Sequence, residues 1–275
     1  MTLPPKGQFA KVGAFDVHYL TFGSGEPVVF LHGSGPGASG YSNFKHNINN
    51  IVNSGRQAII IDMIGFGYSS KPTDIDYTPE LFCEVIVTAI QKMGIDTFDL
   101  VGNSLGGAVA IQAAVSHPDK VKSLILMAPG GIEEPDVYQS MPGIAKMTKL
   151  YMGEEVGRDA LGRILKMLVY QESVVDDALI DERFAIFETQ PPEVLSRLVF
   201  HNMENELKNI QCPILGFWGQ KDEFTPVGGA KKILDRCANS SFTILSDCGH
   251  WVMVEYADLF NHHVTYFLDN KPRIA

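Results

Sequence analysis

Six short apolar runs, each closed on its C-terminal side by a small or polar residue, limit what this chain can become. Val28-Val29-Phe30-Leu31 stops at His32-Gly33, Ala58-Ile59-Ile60-Ile61 at Asp62, and Phe98-Asp99-Leu100-Val101 at Gly102. Leu124-Ile125-Leu126-Met127 stops at Ala128-Pro129-Gly130, Ile214-Leu215-Gly216-Phe217-Trp218 at Gly219, and Phe242-Thr243-Ile244-Leu245 at Ser246-Asp247. Runs of this length, rich in β-branched and aromatic residues, read as strands buried on both faces, as in parallel sheet. Helical patterns at 81–93, 105–116, 228–236 and 257–268 supply crossovers. Strand alternating with helix predicts an α/β fold: a mostly parallel, doubly wound sheet with helices on both faces. The segment 9–21, with Gly13-Ala14 between two strand-like pieces, predicts an antiparallel hairpin at one edge.

The rhythm stops between 131 and 209 and resumes at Cys212-Pro213. The interrupted stretch carries Met141, Met147, Met152, Met167 and Met203 with Leu and Tyr at helical spacing. We expect a core of 1–130 and 210–275 and a helical lid of 131–209 inserted between two core strands. Open α/β sheets hold ligands at the C-terminal ends of their strands, and the insertion departs from such an end. An apolar pocket between lid and core follows, because methionine adapts to irregular ligands.

The net charge of −10 opposes nucleic acid and anionic membranes as partners. An anionic small molecule would need a local cation. No run approaches the roughly 20 apolar residues of a membrane span, and Met1-Thr2-Leu3-Pro4-Pro5-Lys6-Gly7-Gln8 lacks the apolar region of a secretory signal. Cys83, Cys212, Cys237 and Cys248 form no CxxC and no zinc-ligand spacing, so neither a metal nor a disulfide framework is expected. Cytoplasmic residence fits this cysteine usage.

Chemistry concentrates at Gly102-Asn103-Ser104-Leu105-Gly106-Gly107, which follows an apolar strand and opens a helix. This is G-x-S-x-G in the strand–turn–helix setting of a nucleophile elbow, and it points to an α/β-hydrolase fold with Ser104 as nucleophile. A hydroxyl needs a positioned base. In Asp247-Cys248-Gly249-His250-Trp251, His250 lies between the last strand and the last helix. His262 and His263 fall inside a helical pattern, His117 at a helix end, and His18 in the hairpin. His32 is suited to orienting its own loop. This fold runs Ser, acid, His. Gly219-Gln220-Lys221-Asp222-Glu223-Phe224-Thr225-Pro226 therefore supplies Asp222 to orient the base, with Glu223 the adjacent rival. Oxyanion donors are expected at the backbone N–H of Leu105 and, from His32-Gly33-Ser34-Gly35-Pro36-Gly37, of Ser34.

The segments His32-Gly33-Ser34-Gly35-Pro36-Gly37-Ala38-Ser39-Gly40-Tyr41-Ser42-Asn43, Gly102-Asn103-Ser104-Leu105-Gly106-Gly107 and Cys248-Gly249-His250-Trp251 resemble the meta-cleavage product hydrolases of aromatic degradation. The likeness extends over essentially the whole chain. It implies cleavage of a carbon–carbon bond in a 2-hydroxy-6-oxohexa-2,4-dienoate, giving 2-hydroxypenta-2,4-dienoate and a carboxylic acid without a cofactor. By the same resemblance Gly35, Asn43, Asn103 and Trp251 contact substrate, and Arg183 of Asp181-Glu182-Arg183-Phe184 is the lid arginine facing the dienoate. Many relatives carry glycine where Ser34 stands, which leaves the backbone donor intact. The stretch 147–168 is similar to biphenyl-type members, implying a 6-aryl substituent, and the family implies a homodimer or larger assembly. A carboxylesterase of the same fold would share the triad and have no need of Arg183.

Overall fold

The computed structural model describes residues 6–153 and 157–271. Its strands are β1 (Gln8–Val12), β2 (Phe15–Phe22), β3 (Pro27–Leu31), β4 (Gln57–Ile61), β5 (Phe98–Asn103), β6 (Val121–Met127), β7 (Ile214–Gly219) and β8 (Ser240–Leu245). Its helices are α1 (Gly40–Phe44), α2 (Ile48–Asn53), α3 (Pro79–Lys92), α4 (Leu105–Ser116), α5 (Pro135–Ser140), α6 (Pro142–Gly153), α7 (Arg158–Met167), α8 (Asp177–Phe187), α9 (Pro192–Ser196), α10 (Gly229–Arg236), α11 (Val252–Glu255) and α12 (Ala257–Asn270).

The strands form one sheet in the order β1-β2-β4-β3-β5-β6-β7-β8. From β4 to β8 all neighbours are parallel; β1 and β2 pair antiparallel, and β2 joins β4 antiparallel. The edge hairpin is thus where the Gly13-Ala14 turn puts it. The chain leaves β3 for β4 on one side and returns to β5 on the other. That reversal opens a crevice at the C-terminal ends of β3 and β5, the place where such sheets bind ligands.

Burial explains the strand composition. Every residue of β5 is buried, including Asp99, whose carboxylate accepts from Ser123 Oγ at 2.6 Å and from Lys271 Nζ. Ser123 belongs to β6, which begins three residues before its apolar run because Val121 pairs with Phe98 and, across a register shift, Ser123 with Asp99. Helix α4 is apolar or small on nearly every side and lies buried along ten of its residues, as expected of a helix walled in all round. Helix α10 is amphipathic, with Ala230 and Ile233 inward and Lys231, Asp235 and Arg236 exposed. Helix α3 starts two residues before its apolar pattern: Pro79 occupies the first turn, and Thr78 Oγ1 accepts from Leu81 N–H at 3.2 Å.

Between β6 and β7 the chain forms α5 to α9. Helix α7 buries Leu161, Ile164 and Leu165, a one-sided stripe at helical spacing. Among the described residues no helix is long and apolar enough to cross a membrane, and no group of three His, Cys, Asp or Glu could hold a metal ion.

Candidate active site

Ser104 sits between the end of β5 and the start of α4 with φ 55° and ψ −116°, a region that non-glycine residues avoid. Such a conformation costs on the order of 1–3 kcal/mol and persists only where its surroundings hold it. They do so here. Ser104 N–H donates to Met127 O at 3.0 Å, and Ser104 O accepts from Gly130 N–H at 2.9 Å and Ala108 N–H at 3.0 Å. Gly106 explains the motif's second glycine: a Cβ there would lie 2.1 Å from Leu31 O at the end of β3. Gly106 N–H instead donates to His32 O at 3.0 Å, binding the loop after β3 to the elbow.

His32 fixes that loop. It is fully buried, its Nδ1–H donates to Gly33 O at 2.7 Å, and its Nε2 accepts from Met63 N–H at 3.1 Å. Burial pushes its pKa down to about 4, against the opposing pull of Asp62, so the ring is neutral near pH 7. Ser34 lies two residues further on. Among the described residues no acceptor takes the N–H of Ser34 or of Leu105, and Ser34 lines the same cavity as Ser104. The positive end of the α4 dipole adds to any stabilisation of negative charge there.

His250 Nδ1 lies 2.8 Å from Asp222 Oδ2, and both side chains are almost fully buried. Asp222 Oδ1 accepts from Phe224 N–H at 2.7 Å and Thr225 N–H at 3.0 Å, while Oδ2 also accepts from Thr225 Oγ1 at 2.7 Å. These donors suit a carboxylate, which then holds the proton of His250 on Nδ1 and leaves Nε2 as the basic nitrogen. Glu223 turns away to an exposed ion pair with Lys146 at 2.7 Å. The rival acid is therefore not at the histidine.

A cavity of about 500 Å³ opens over Ser104. Ser34, Gly35, Asn43, Asn103, Arg183, His250 and Trp251 all line it. One end is polar. Arg183 is 1% exposed, and its guanidinium donates to Pro36 O at 2.9 Å and 3.1 Å and to Asn43 Oδ1 at 3.2 Å. Its Cζ lies 5.5 Å from the centre of the Trp251 ring, within cation–π range. Asn103 Nδ2 donates to Met127 O at 3.2 Å and His250 O at 3.4 Å, and its Oδ1 accepts from Asn43 Nδ2 at 3.4 Å. Asn103 thereby stabilises the turn and also faces the cavity. The rest of the lining is mainly apolar, with Ile144, Met147, Ile164 and Leu168 from the insertion and Phe224 from the core.

Sequence reasoning assigned the methionines as a group to this pocket, and the structure divides them. Met147 lines it, Met203 packs in the core against Gly131, and the side chain of Met152 lies outside the described residues. Thr225 was missed, although Asp followed three residues later by Thr is a local-turn signature. Leu168 was missed as well; its carbonyl accepts from His250 N–H at 2.8 Å, and a backbone acceptor leaves no mark in a sequence.

The chain matches the family model of the alpha/beta hydrolase fold over residues 26–257. It is 32% identical to the 2-hydroxy-6-oxononadienedioate/2-hydroxy-6-oxononatrienedioate hydrolase of Comamonas testosteroni, over 93% of this chain and 92% of that one. It is also 32% identical to the 2-hydroxy-6-oxo-6-phenylhexa-2,4-dienoate hydrolase of Burkholderia cepacia, again over 93% and 92%. Among solved structures, a serine hydrolase involved in carbazole degradation superposes with a TM-score of 0.83 at 28% identity, covering 96% of this chain and 98% of that one. The chain belongs to the α/β-hydrolase fold family and, within it, to the meta-cleavage product hydrolases.

Proposed function

We propose that this enzyme hydrolyses the C5–C6 bond of a 2-hydroxy-6-oxohexa-2,4-dienoate bearing an apolar aryl group at C6. The observation that carries the reading is one cavity that Ser104 lines together with a buried guanidinium and a mainly apolar wall. Among the described residues Arg183 is the only Lys or Arg on its wall. In a protein of net charge −10, that guanidinium is the local attraction for the substrate carboxylate. The 6-substituent then lies among Ile144, Met147, Ile164 and Leu168, where a phenyl ring is favoured and a second carboxylate would be stripped of water without a cation. On this reading the helical stretch 131–209 is a lid on a core of 1–130 and 210–275.

In the reaction, the dienol is first protonated at C5 to the keto form, so that the carbon to be released can leave as a stabilised dienolate. His250, paired with Asp222, moves this proton and activates Ser104. Attack at C6 sends negative charge to its oxygen, facing the N–H groups of Ser34 and Leu105. Collapse breaks C5–C6, and water completes the carboxylic acid. Asn103, Asn43, Gly35 and Trp251 shape the dienoate end. The substrate carries its own electron sink, so the scheme needs no metal or organic cofactor.

The test compares a 6-phenyl dienolate, a 6-carboxyethyl dienolate and a p-nitrophenyl ester by absorbance. The reading requires kcat/KM to fall in that order. Dominant ester turnover would make the enzyme a carboxylesterase. We also propose a cytoplasmic enzyme, which four buried free cysteines fit. It should assemble as a homodimer or larger: β8 ends the sheet and Ile244 on it is half exposed. Light scattering should give at least twice the 30.2 kDa chain mass.

A further inference from the structure

We infer that Glu255 is a positioning residue that fastens the lid to the loop carrying His250. Glu255 ends α11, five residues after His250, and neither the triad nor the dienoate contacts involve it. Its carboxylate is nonetheless fully engaged. Oε1 accepts from Gly249 N–H at 2.7 Å and from the Cys248 thiol at 3.5 Å. Oε2 accepts from Tyr170 N–H and Gln171 N–H, each at 2.8 Å. One oxygen thus holds the residues just before His250, and the other holds the segment that follows α7 in the lid.

Two further contacts lie at the same joint. His250 N–H donates to Leu168 O at 2.8 Å. A Cβ on Gly249 would lie 2.9 Å from Leu168 O and Tyr170 N, so the two backbones meet with no room for a side chain. Leu168 itself lines the cavity. The backbone that sets the position of the imidazole is therefore the backbone that carries part of the apolar wall. A carboxylate is required at 255 because donors converge on both oxygens. A glutamine of the same length turns an NH2 group toward either the loop donors or the lid donors, setting donor against donor.

The inference rests on the reading of His250 as the base, and the experiment separates the two. Glu255→Gln and Gly249→Ala are each assayed for kcat and KM on the dienolate. Each is also assayed for the rate at which a small fluorophosphonate labels Ser104, which needs the base and not the dienoate contacts. The inference expects kcat and labelling to fall together by tenfold or more in both variants, with KM within threefold and a folded protein by circular dichroism. Unchanged kcat and labelling in Glu255→Gln would overturn it, as would a rise in KM alone. If Glu255→Gln does not fold, Gly249→Ala decides by the same criteria. His250→Ala runs alongside: full labelling and turnover in that variant would sink the assignment of the base, whatever Glu255 does.

Discussion

The guanidinium of Arg183, carried by α8, stacks over the indole of Trp251, the residue next to His250, at 5.5 Å from its centre. On the proposed function, binding of the anion and placement of the base would be coupled through adjacent side chains. We expect Arg183→Gln to lower kcat/KM for the dienolate about 10- to 150-fold, the equivalent of the 1.5–3 kcal/mol of a charged hydrogen bond. A neutral p-nitrophenyl ester should lose far less. Equal losses would mean that the arginine serves chiefly to hold Pro36 and Asn43.

Its burial was not legible in the sequence. Asp181-Glu182-Arg183 reads as a solvated charged patch, and only family likeness singled out the arginine. In the structure Asp181 pairs with Arg158 at 2.5 Å and Glu182 with Lys45 at 2.7 Å, while Arg183 is buried and lines the cavity. The core strands were legible because burial on both faces forces continuous apolar runs. The elbow was legible because its strained turn needs glycine at fixed offsets. The helices between β6 and β7 were legible only as a group, since Pro135, Pro142 and Pro192 each open a new short helix. Glu255 was invisible for another reason: two of its donors are backbone groups 84 and 85 residues away.

Thr225→Val tests how firmly Asp222 must be held. The substitution removes the hydroxyl donated to Oδ2 and keeps both backbone N–H bonds to Oδ1. A hydrogen bond of about 0.5–1.5 kcal/mol corresponds to a kcat lower by roughly 2- to 12-fold. Asp222→Asn should cost on the order of 10⁴ by favouring the wrong tautomer of His250. Steady-state kinetics on both variants checks the ordering; a larger loss for Thr225→Val would refute it.

Acid should weaken the fold through His32. The ring is neutral in the folded protein with a pKa of about 4, against 6.5 when exposed. Between these values the unfolded chain binds a proton that the folded one does not, so stability rises with pH across the window. It is complete above about pH 6.5 and is lost progressively as pH falls toward 4. The full span is about 3 kcal/mol. Urea midpoints from pH 7 to pH 4.5 measure this, and His32→Asn, which cannot titrate, should flatten the slope.

The last expectation separates the two halves of the reaction. Ser104→Ala removes the hydroxyl and leaves His250, Asp222 and the Arg183 end in place. Turnover should fall by several orders of magnitude, because triad members act as a unit. Ketonisation needs only a proton delivered to C5 and a carboxylate held at the polar end, and neither depends on the Ser104 oxygen. The variant should therefore bind the dienolate, convert part of it to the keto form and stop. Stopped-flow spectra should show the dienolate absorbance decay without appearance of 2-hydroxypenta-2,4-dienoate. His250→Ala should slow that first decay as well as cleavage. If Ser104→Ala shows only the spectrum of free dienolate, and His250→Ala loses cleavage alone, the proton transfer at C5 does not belong to His250.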